Sequence, residues 1–233
     1  MSYGDVEVKA RVAVIGVGGA GCSVVSDIYK AYPEADAIAV NTDRDALHNT
    51  DADLKLYICK SVTKGEGTKG DSLLGRRCAQ AHLEEIKRAV SGYDAVFIVA
   101  GMGGGTGTGA APIIAEIAER QNVMTFAIAI NPFSFETARQ NTAAVGLQKL
   151  KSVCPHTLVV ENDLAAAKMP EASLKGIFKA VNRSISSFVE EKTKKIEEIF
   201  ESEFESMIGE GSVEVSENTI IPSIGIGKTN VTE

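Results

Sequence analysis

Residues 101–109 read Gly-Met-Gly-Gly-Gly-Thr-Gly-Thr-Gly, six glycines and two threonines in nine positions. Glycines let consecutive backbone N–H groups converge on one point, and threonine hydroxyls add donors beside them. Such a run suits an anion, and a phosphate above all. A second run, Gly16-Val-Gly-Gly-Ala-Gly21, has the GxGxxG spacing that lets a backbone approach a pyrophosphate. Neither run carries the lysine of the GxxxxGK[ST] pattern, so phosphate charge must be met by backbone donors, hydroxyls and a metal ion.

The neighbouring elements must aim these donors. Ala95-Val-Phe-Ile-Val-Ala100 is an apolar run suited to a strand buried on both faces of a sheet. After the loop, Ala110 to Ala118 has helical spacing, with Pro112 expected in its first turn, where a missing N–H costs least. A strand, a glycine loop and a helix N-terminus together favour bound negative charge. A flexible linker does not sit between a fully apolar strand and a helix.

Strands at Arg11–Ile15, Ala37–Val40, Leu54–Cys59, Ala95–Ala100, Val123–Ile130 and Thr157–Val160 alternate with helices at Ala20–Ala31, Ser72–Ser91, after the loop, and Phe135–Lys151. This alternation predicts an α/β fold in three layers, a mostly parallel sheet with helices on both faces. Ligands in such folds bind at the carboxyl ends of strands, where both glycine runs fall. From Leu174 apolar residues recur at steps of three and four, through Ile177, Phe178, Val181, Ile185 and Val189 to Ile196, Phe200 and Ile208. A single C-terminal helix of about 35 residues follows from that stripe, far above the average length. The expected division is a binding domain over 1–189, an acidic amphipathic extension over 190–208, and a tail over 209–233 with room for one added strand.

The 233 residues carry a net charge of −7, which argues against non-specific nucleic-acid binding. Residues 190–217 hold ten glutamates against three lysines, so the excess belongs to one late segment. Cys22, Cys59, Cys78 and Cys154 are scattered without CxxC spacing and are expected as reduced thiols. No export signal or membrane-length apolar run is present, so a cytoplasmic protein without membrane insertion is expected.

Taken alone, Gly16–Gly21 also fits a dinucleotide (NAD) site, with Asp43 only roughly placed as its ribose acid. With both glycine runs in view, the chain resembles the tubulin/FtsZ superfamily, closer to the FtsZ branch. Gly101–Gly109 resembles that superfamily's signature loop and Gly18-Gly-Ala-Gly21 its first glycine loop. Asn41-Thr-Asp43, Thr63-Lys-Gly-Glu-Gly67, Asn131-Pro-Phe-Ser-Phe-Glu136 and Glu161-Asn-Asp163 resemble the other nucleotide loops, in order. The likeness runs from about residue 10 to 190.

The resemblance implies GTP or GDP, with Mg2+ held through the phosphates and no metal ligands from side chains. It implies phosphate contacts at Gly18, Gly19, Ala20, Gly21, Cys22 and Ser23, and at Gly103, Gly104, Gly105, Thr106, Gly107 and Thr108. Asn41 and Gly67 belong to the second and third loops, and Glu136 would accept from ribose hydroxyls. Phe178 would stack on the base, while Asn162 and Asn182 would read the guanine edge. The residues alone leave Phe178 open as a core position and Asn182 as a surface helical amide. Ser23 stands where FtsZ usually has Asn, and Gln140 where it usually has a basic residue, a loss of charge expected to weaken affinity.

Hydrolysis in this family occurs between subunits, through an acidic loop after the long central helix. That Asn-x-Asp-x-x-Asp loop is absent and no catalytic acid is assigned; the candidates for a substitute are Glu203 and Glu205, with Glu201 beside them, on an unbroken helical stripe. The expectation is therefore a GTP-binding, FtsZ-like cytoskeletal protein that self-assembles, with weak or partner-dependent hydrolysis. The alternatives are a non-hydrolysing scaffold or regulator of a full-length FtsZ-like partner and, remotely, an NAD-binding Rossmann protein. The stripe over 196–208 is expected to be a self-association surface.

Overall fold

A computed structural model describes residues 9–209. Six strands, β1 (Val12–Val17), β2 (Asp36–Asn41), β3 (Leu54–Tyr57), β4 (Ala95–Gly101), β5 (Met124–Asn131) and β6 (Thr157–Glu161), form one sheet. Its order is β3-β2-β1-β4-β5-β6, and every pairing is parallel. The central strands lack polar side chains because neither face meets water: all of β1 is buried, and so is β4 up to Gly101.

Alternate residues of each strand point to opposite faces, and the core divides accordingly. Ala13, Ile15, Val96 and Ile98 lie in one cluster with Cys78, Ile86, Ile114 and Leu150. Val12, Val14, Phe97 and Val99 lie in the other with Val25, Ile28, Ile177, Val181 and Ile185. The helices supplying the first layer are α4 (Ser72–Ala81), α5 (Leu83–Val90), α6 (Gly105–Arg120) and α7 (Thr137–Val153). The opposite layer is α1 (Gly18–Ala31) and α9 (Leu174–Gly209), the latter 36 residues long. Three short helices, α2 (Arg44–His48), α3 (Lys60–Thr63) and α8 (Asn162–Lys168), sit in the connections. The three-layer α/β arrangement with a long C-terminal helix is as the sequence pattern requires. Strand order reverses between β1 and β4, which opens a crevice at their carboxyl ends.

Three local expectations need correction. The helix expected over 72–91 breaks at His82, whose ring is recruited elsewhere. Its Nε2 accepts from the Cys59 N–H (3.3 Å), and with Nδ1 protonated it donates to the Cys78 carbonyl (3.0 Å). Helix α6 starts at Gly105, so Pro112 lies two turns inside it and cannot donate to the Thr108 carbonyl. Cys59 and Cys78 are joined in a disulfide, with Cα atoms 5.1 Å apart, rather than standing as separate thiols. Cys59 adopts a left-handed conformation (φ 63°) at the start of α3, a turn that spacing alone does not reveal.

Asp71 caps α4, its carboxylate accepting from the N–H groups of Leu73 (2.9 Å) and Leu74 (3.0 Å). Asp71→Ala is expected to cost about 1 kcal/mol, which lowers the thermal midpoint by about 2–4 °C. Differential scanning calorimetry measures it, and an unchanged midpoint would remove the cap from the account. Among the described residues no helix is long and apolar enough to cross a membrane. The strand expected in the 209–233 tail lies outside the described residues. Of the 196–208 stripe, Ile196 is buried and Phe200 half-buried against the second cluster, whereas Ile199 is exposed.

Candidate functional site

The crevice is a cavity of about 1000 Å³ at the carboxyl ends of the strands. Its floor is made where the two glycine runs meet. Gly18 has a positive φ (+72°), and a Cβ there would stand 2.9 Å from the Gly107 nitrogen. A Cβ at Gly107 would meet the Gly101 carbonyl oxygen at 2.5 Å and the Val17 carbonyl oxygen at 3.3 Å. These glycines permit backbone to lie on backbone. Gly19 and Gly104 differ: a Cβ at either would meet nothing within 4 Å, and both line the cavity. The N-termini of α1 and α6 thus converge on one open space, each bringing unpaired N–H groups and the positive end of a helix dipole.

Hydroxyls from two loops and the first turn of α6 gather beside this floor. Thr106 Oγ1 shares a hydrogen bond with Thr42 Oγ1 (2.7 Å) and another with Thr68 Oγ1 (3.4 Å). Asn41 lines the wall and shapes it, its Oδ1 accepting from the N–H groups of Thr42 (2.8 Å) and Asp43 (3.2 Å). The segment carrying Gly67 is held by an antiparallel bridge between Asp43 and Glu66. Gly67 has φ +69°, and a Cβ there would meet the Asp43 side chain at 3.5 Å.

The far end has a different chemistry. Phe178 is 47% exposed and meets Phe133 edge-on at 5.6 Å between ring centroids, so it stands at the cavity lip rather than in the core. Asn182 is buried, not a surface amide, and its Nδ2 donates to Ser23 Oγ (2.9 Å) and Asp27 Oδ2 (3.0 Å). Among the described residues the buried Oδ1 atoms of Asn131 and Asn162 have no hydrogen-bond partner, and both residues line the cavity. A buried acceptor left unmatched costs about 1–3 kcal/mol, so each favours a donor brought by water or by a bound molecule. Glu136 accepts from the Phe133 N–H through Oε2 (3.1 Å) and from Arg139 Nη1 through Oε1 (2.7 Å).

Gln140 does not leave the site without positive charge. It turns to donate to the Phe133 carbonyl (2.7 Å) and stiffens the turn, while Lys69, Arg139, Lys175 and Lys179 line the cavity. Gly18, Gly19, Ala20, Ser23, Gly104, Gly105, Thr106 and Gly107 all line it as well. Gly21, Cys22, Gly103 and Thr108 do not, and each has another task. A Cβ at Gly21 would run into the Val99 carbonyl, so it sets how closely α1 lies on β4. Burial pushes the Cys22 thiol up to about 11, which makes it a packing group rather than a nucleophile. The Gly103 N–H donates to Thr108 Oγ1 (2.9 Å), which locks the signature run internally.

Glu201 and Glu203 are exposed on α9. Glu203 lies 21 residues beyond Asn182 in the helix, about 30 Å at 1.5 Å per residue, and Glu205 is further along. Neither Glu201 nor Glu203 can reach its own chain's cavity. Residues that motif reading missed are Asp27, Arg139, Lys175 and Lys179. Lys175 and Lys179 stand beside Phe178 at the spacing of one helix face, a signal that was available, whereas Asp27 has no such mark in the sequence.

Comparison with known proteins decides the family. The GTPase domain of the Tubulin/FtsZ family matches residues 11–168. The chain belongs to the tubulin/FtsZ family. The "cell division protein FtsZ 1" of Archaeoglobus fulgidus is 38% identical over 192 residues, covering 82% of this chain and 52% of that protein. The "cell division protein FtsZ 2" of Haloferax volcanii is 36% identical over 180 residues, covering 77% of this chain and 45% of that one. Among solved structures, an empty FtsZ dimer from M. jannaschii superposes with a TM-score of 0.78 at 35% identity, covering 82% of this chain and 57% of its own. CetZ2 from Haloferax volcanii, a GTPγS-bound protofilament, gives 0.71 at 27% identity, covering 78% and 58%. This tubulin/FtsZ-family chain spans about half the length of the curated relatives it matches. The dinucleotide alternative falls with this match and with the second glycine run on the same cavity floor.

Proposed function

We propose that the cavity binds GTP and GDP, and that the protein is an FtsZ-like cytoskeletal GTP-binding protein that self-assembles and hydrolyses GTP weakly or only with a partner. One observation carries the reading. Two helix N-termini converge on an open face at Gly19 and Gly104, while orphaned amide oxygens and an exposed aromatic ring wait at the opposite end. The first end suits a polyphosphate, and the second suits a base and sugar.

The N–H groups at Gly18–Ala20 and Gly104–Gly107 and the Thr106 hydroxyl hold phosphate oxygens on this reading. Mg2+ is held by the phosphates and neutralises them. Glu136 exchanges its bond to Arg139 for ribose hydroxyls, which frees the guanidinium to face the phosphates. Phe178 covers the base, and Asn162 Oδ1 accepts from it. The division on this reading is a binding domain over 1–189 and an acidic extension over 190–208. The protein works in the cytoplasm on this reading, where nucleoside triphosphates are supplied. The second reading, a non-hydrolysing scaffold or regulator of a full-length FtsZ-like protein, draws on the 30 Å between Glu203 and the cavity.

Isothermal titration of the 233-residue chain with GTP, GDP and ATP in Mg2+ tests the site. GTP and GDP are expected to bind at least tenfold more tightly than ATP, and equal or absent binding overturns the reading. Sedimentation of the same sample with and without GTP tests self-assembly, which fails if only monomer is seen at high concentration.

A further inference from the structure

Guanine presents two adjacent donors, N1–H and the 2-amino group, and one acceptor, O6. A partner for the donor pair needs two acceptors side by side. Asn182 cannot supply them. Its amide nitrogen has two hydrogens, and both are spent, one on Ser23 Oγ and one on Asp27 Oδ2. What remains is a single carbonyl oxygen. Ser23 offers one hydroxyl, which already accepts from Asn182.

Asp27 has what this end of the cavity needs. It lies on α1 one turn beyond Ser23, is half-buried and lines the cavity. Among the described residues it makes no ion pair within 4 Å, and the nearby Lys30 is paired with Asp51 instead (2.7 Å). An ionised carboxylate has about four acceptor positions, and Asn182 uses one of them. The Asn182 hydrogen bond also fixes the carboxylate's orientation, because Asn182 is itself buried on the neighbouring helix. We propose that Asp27 is the residue that selects the base, accepting from N1–H and the 2-amino group together, with Asn182 as the positioning residue that holds it.

The inference rests on the GTP reading above and deepens it. A site that pairs a buried or half-buried acceptor with a substrate N–H rejects analogues lacking that group, because the acceptor is then left unmatched. Inosine lacks the 2-amino group, and xanthosine replaces it with a carbonyl that repels a carboxylate. Asp27→Asn keeps the shape and exchanges one acceptor for a donor, which suits the xanthine carbonyl.

Competition binding with GTP, ITP and XTP on the parent chain and on Asp27→Asn tests this. The parent is expected to prefer GTP to ITP and to XTP by about tenfold or more. In Asp27→Asn the GTP-to-XTP preference is expected to reverse, a shift of about a hundredfold in the ratio. Asp27→Glu, which retains the acceptor pair, keeps the parental order of preference, and its ratios are read if Asp27→Asn does not fold. Unchanged GTP-to-XTP ratios in Asp27→Asn, equal binding of GTP and ITP by the parent, or a reversed order in Asp27→Glu overturns the assignment of Asp27 while leaving the GTP site standing. A parent chain that binds no guanine nucleotide overturns the site itself.

Discussion

Gly104→Ala is expected to fold as the parent does and to bind GTP at least tenfold more weakly. Gly104 has φ −87° and ψ 169°, backbone angles that alanine adopts freely, and the added Cβ meets nothing within 4 Å. Stability therefore changes by less than about 1 kcal/mol, and the smaller freedom of the unfolded chain favours the variant. The space that receives the methyl is the cavity itself. A phosphate oxygen bonded to a backbone N–H stands about 2.9 Å from the nitrogen, whereas a methyl keeps neighbours at about 3.5–4 Å. The methyl and the phosphate oxygen compete for the same place.

Gly107→Ala, three residues on, is expected to act in the opposite sense. Its methyl would press on the Gly101 carbonyl and on the ends of β1 and β4, all backbone that cannot rotate away. Overpacking costs about 1–3 kcal/mol, and the upper end applies here. The thermal midpoint then falls by about 6–12 °C. Thermal melts and titrations on both variants check the pair. Normal GTP affinity in Gly104→Ala would place the phosphates elsewhere.

That contrast marks what the sequence makes legible and what it hides. A run of glycines announces an anion site because only glycine tolerates such close backbone, but Gly19 and Gly107 look alike until their neighbours are known. The strands were readable because β1 and β4 are apolar throughout, a pattern that only a doubly covered sheet permits. The long helix was readable because its stripe keeps one period from Leu174 onward. The short helices α2 and α3 were not, since a helix of five or four residues has no period to detect. Helix α2 depends on a local cap, Asp43 accepting from the Ala46 N–H (2.9 Å), and α3 on the left-handed turn at Cys59. The break at His82 and the Cys59–Cys78 pair share one cause: contacts across 19 or more residues, made by a turn that the side chains do not advertise. Asp27 was hidden for the converse reason, a charged residue on an otherwise ordinary helix, informative only once Asn182 is seen to point at it.

GTP turnover is expected to be at least about a hundredfold slower than that of a full-length FtsZ measured alongside, and what turnover exists is expected to rise per molecule with protein concentration. The acids that could orient water sit about 30 Å along α9 from the cavity, so a single chain cannot bring them to its own γ-phosphate. A second copy is required. Even then Glu201 and Glu203 lie on continuous helix, exposed, with no turn to hold a carboxylate against a water molecule. A positioned acid or base contributes about 10²–10⁴-fold, and that contribution is the one this geometry lacks. Glu203→Ala is therefore expected to leave the residual rate within about twofold of the parent. Phosphate release followed across a wide range of protein concentrations, in parent and variant, distinguishes the cases. A flat rate per molecule would show that assembly plays no part in turnover. Rapid, concentration-dependent release abolished by Glu203→Ala would instead make the extended helix a working substitute for the missing acidic loop.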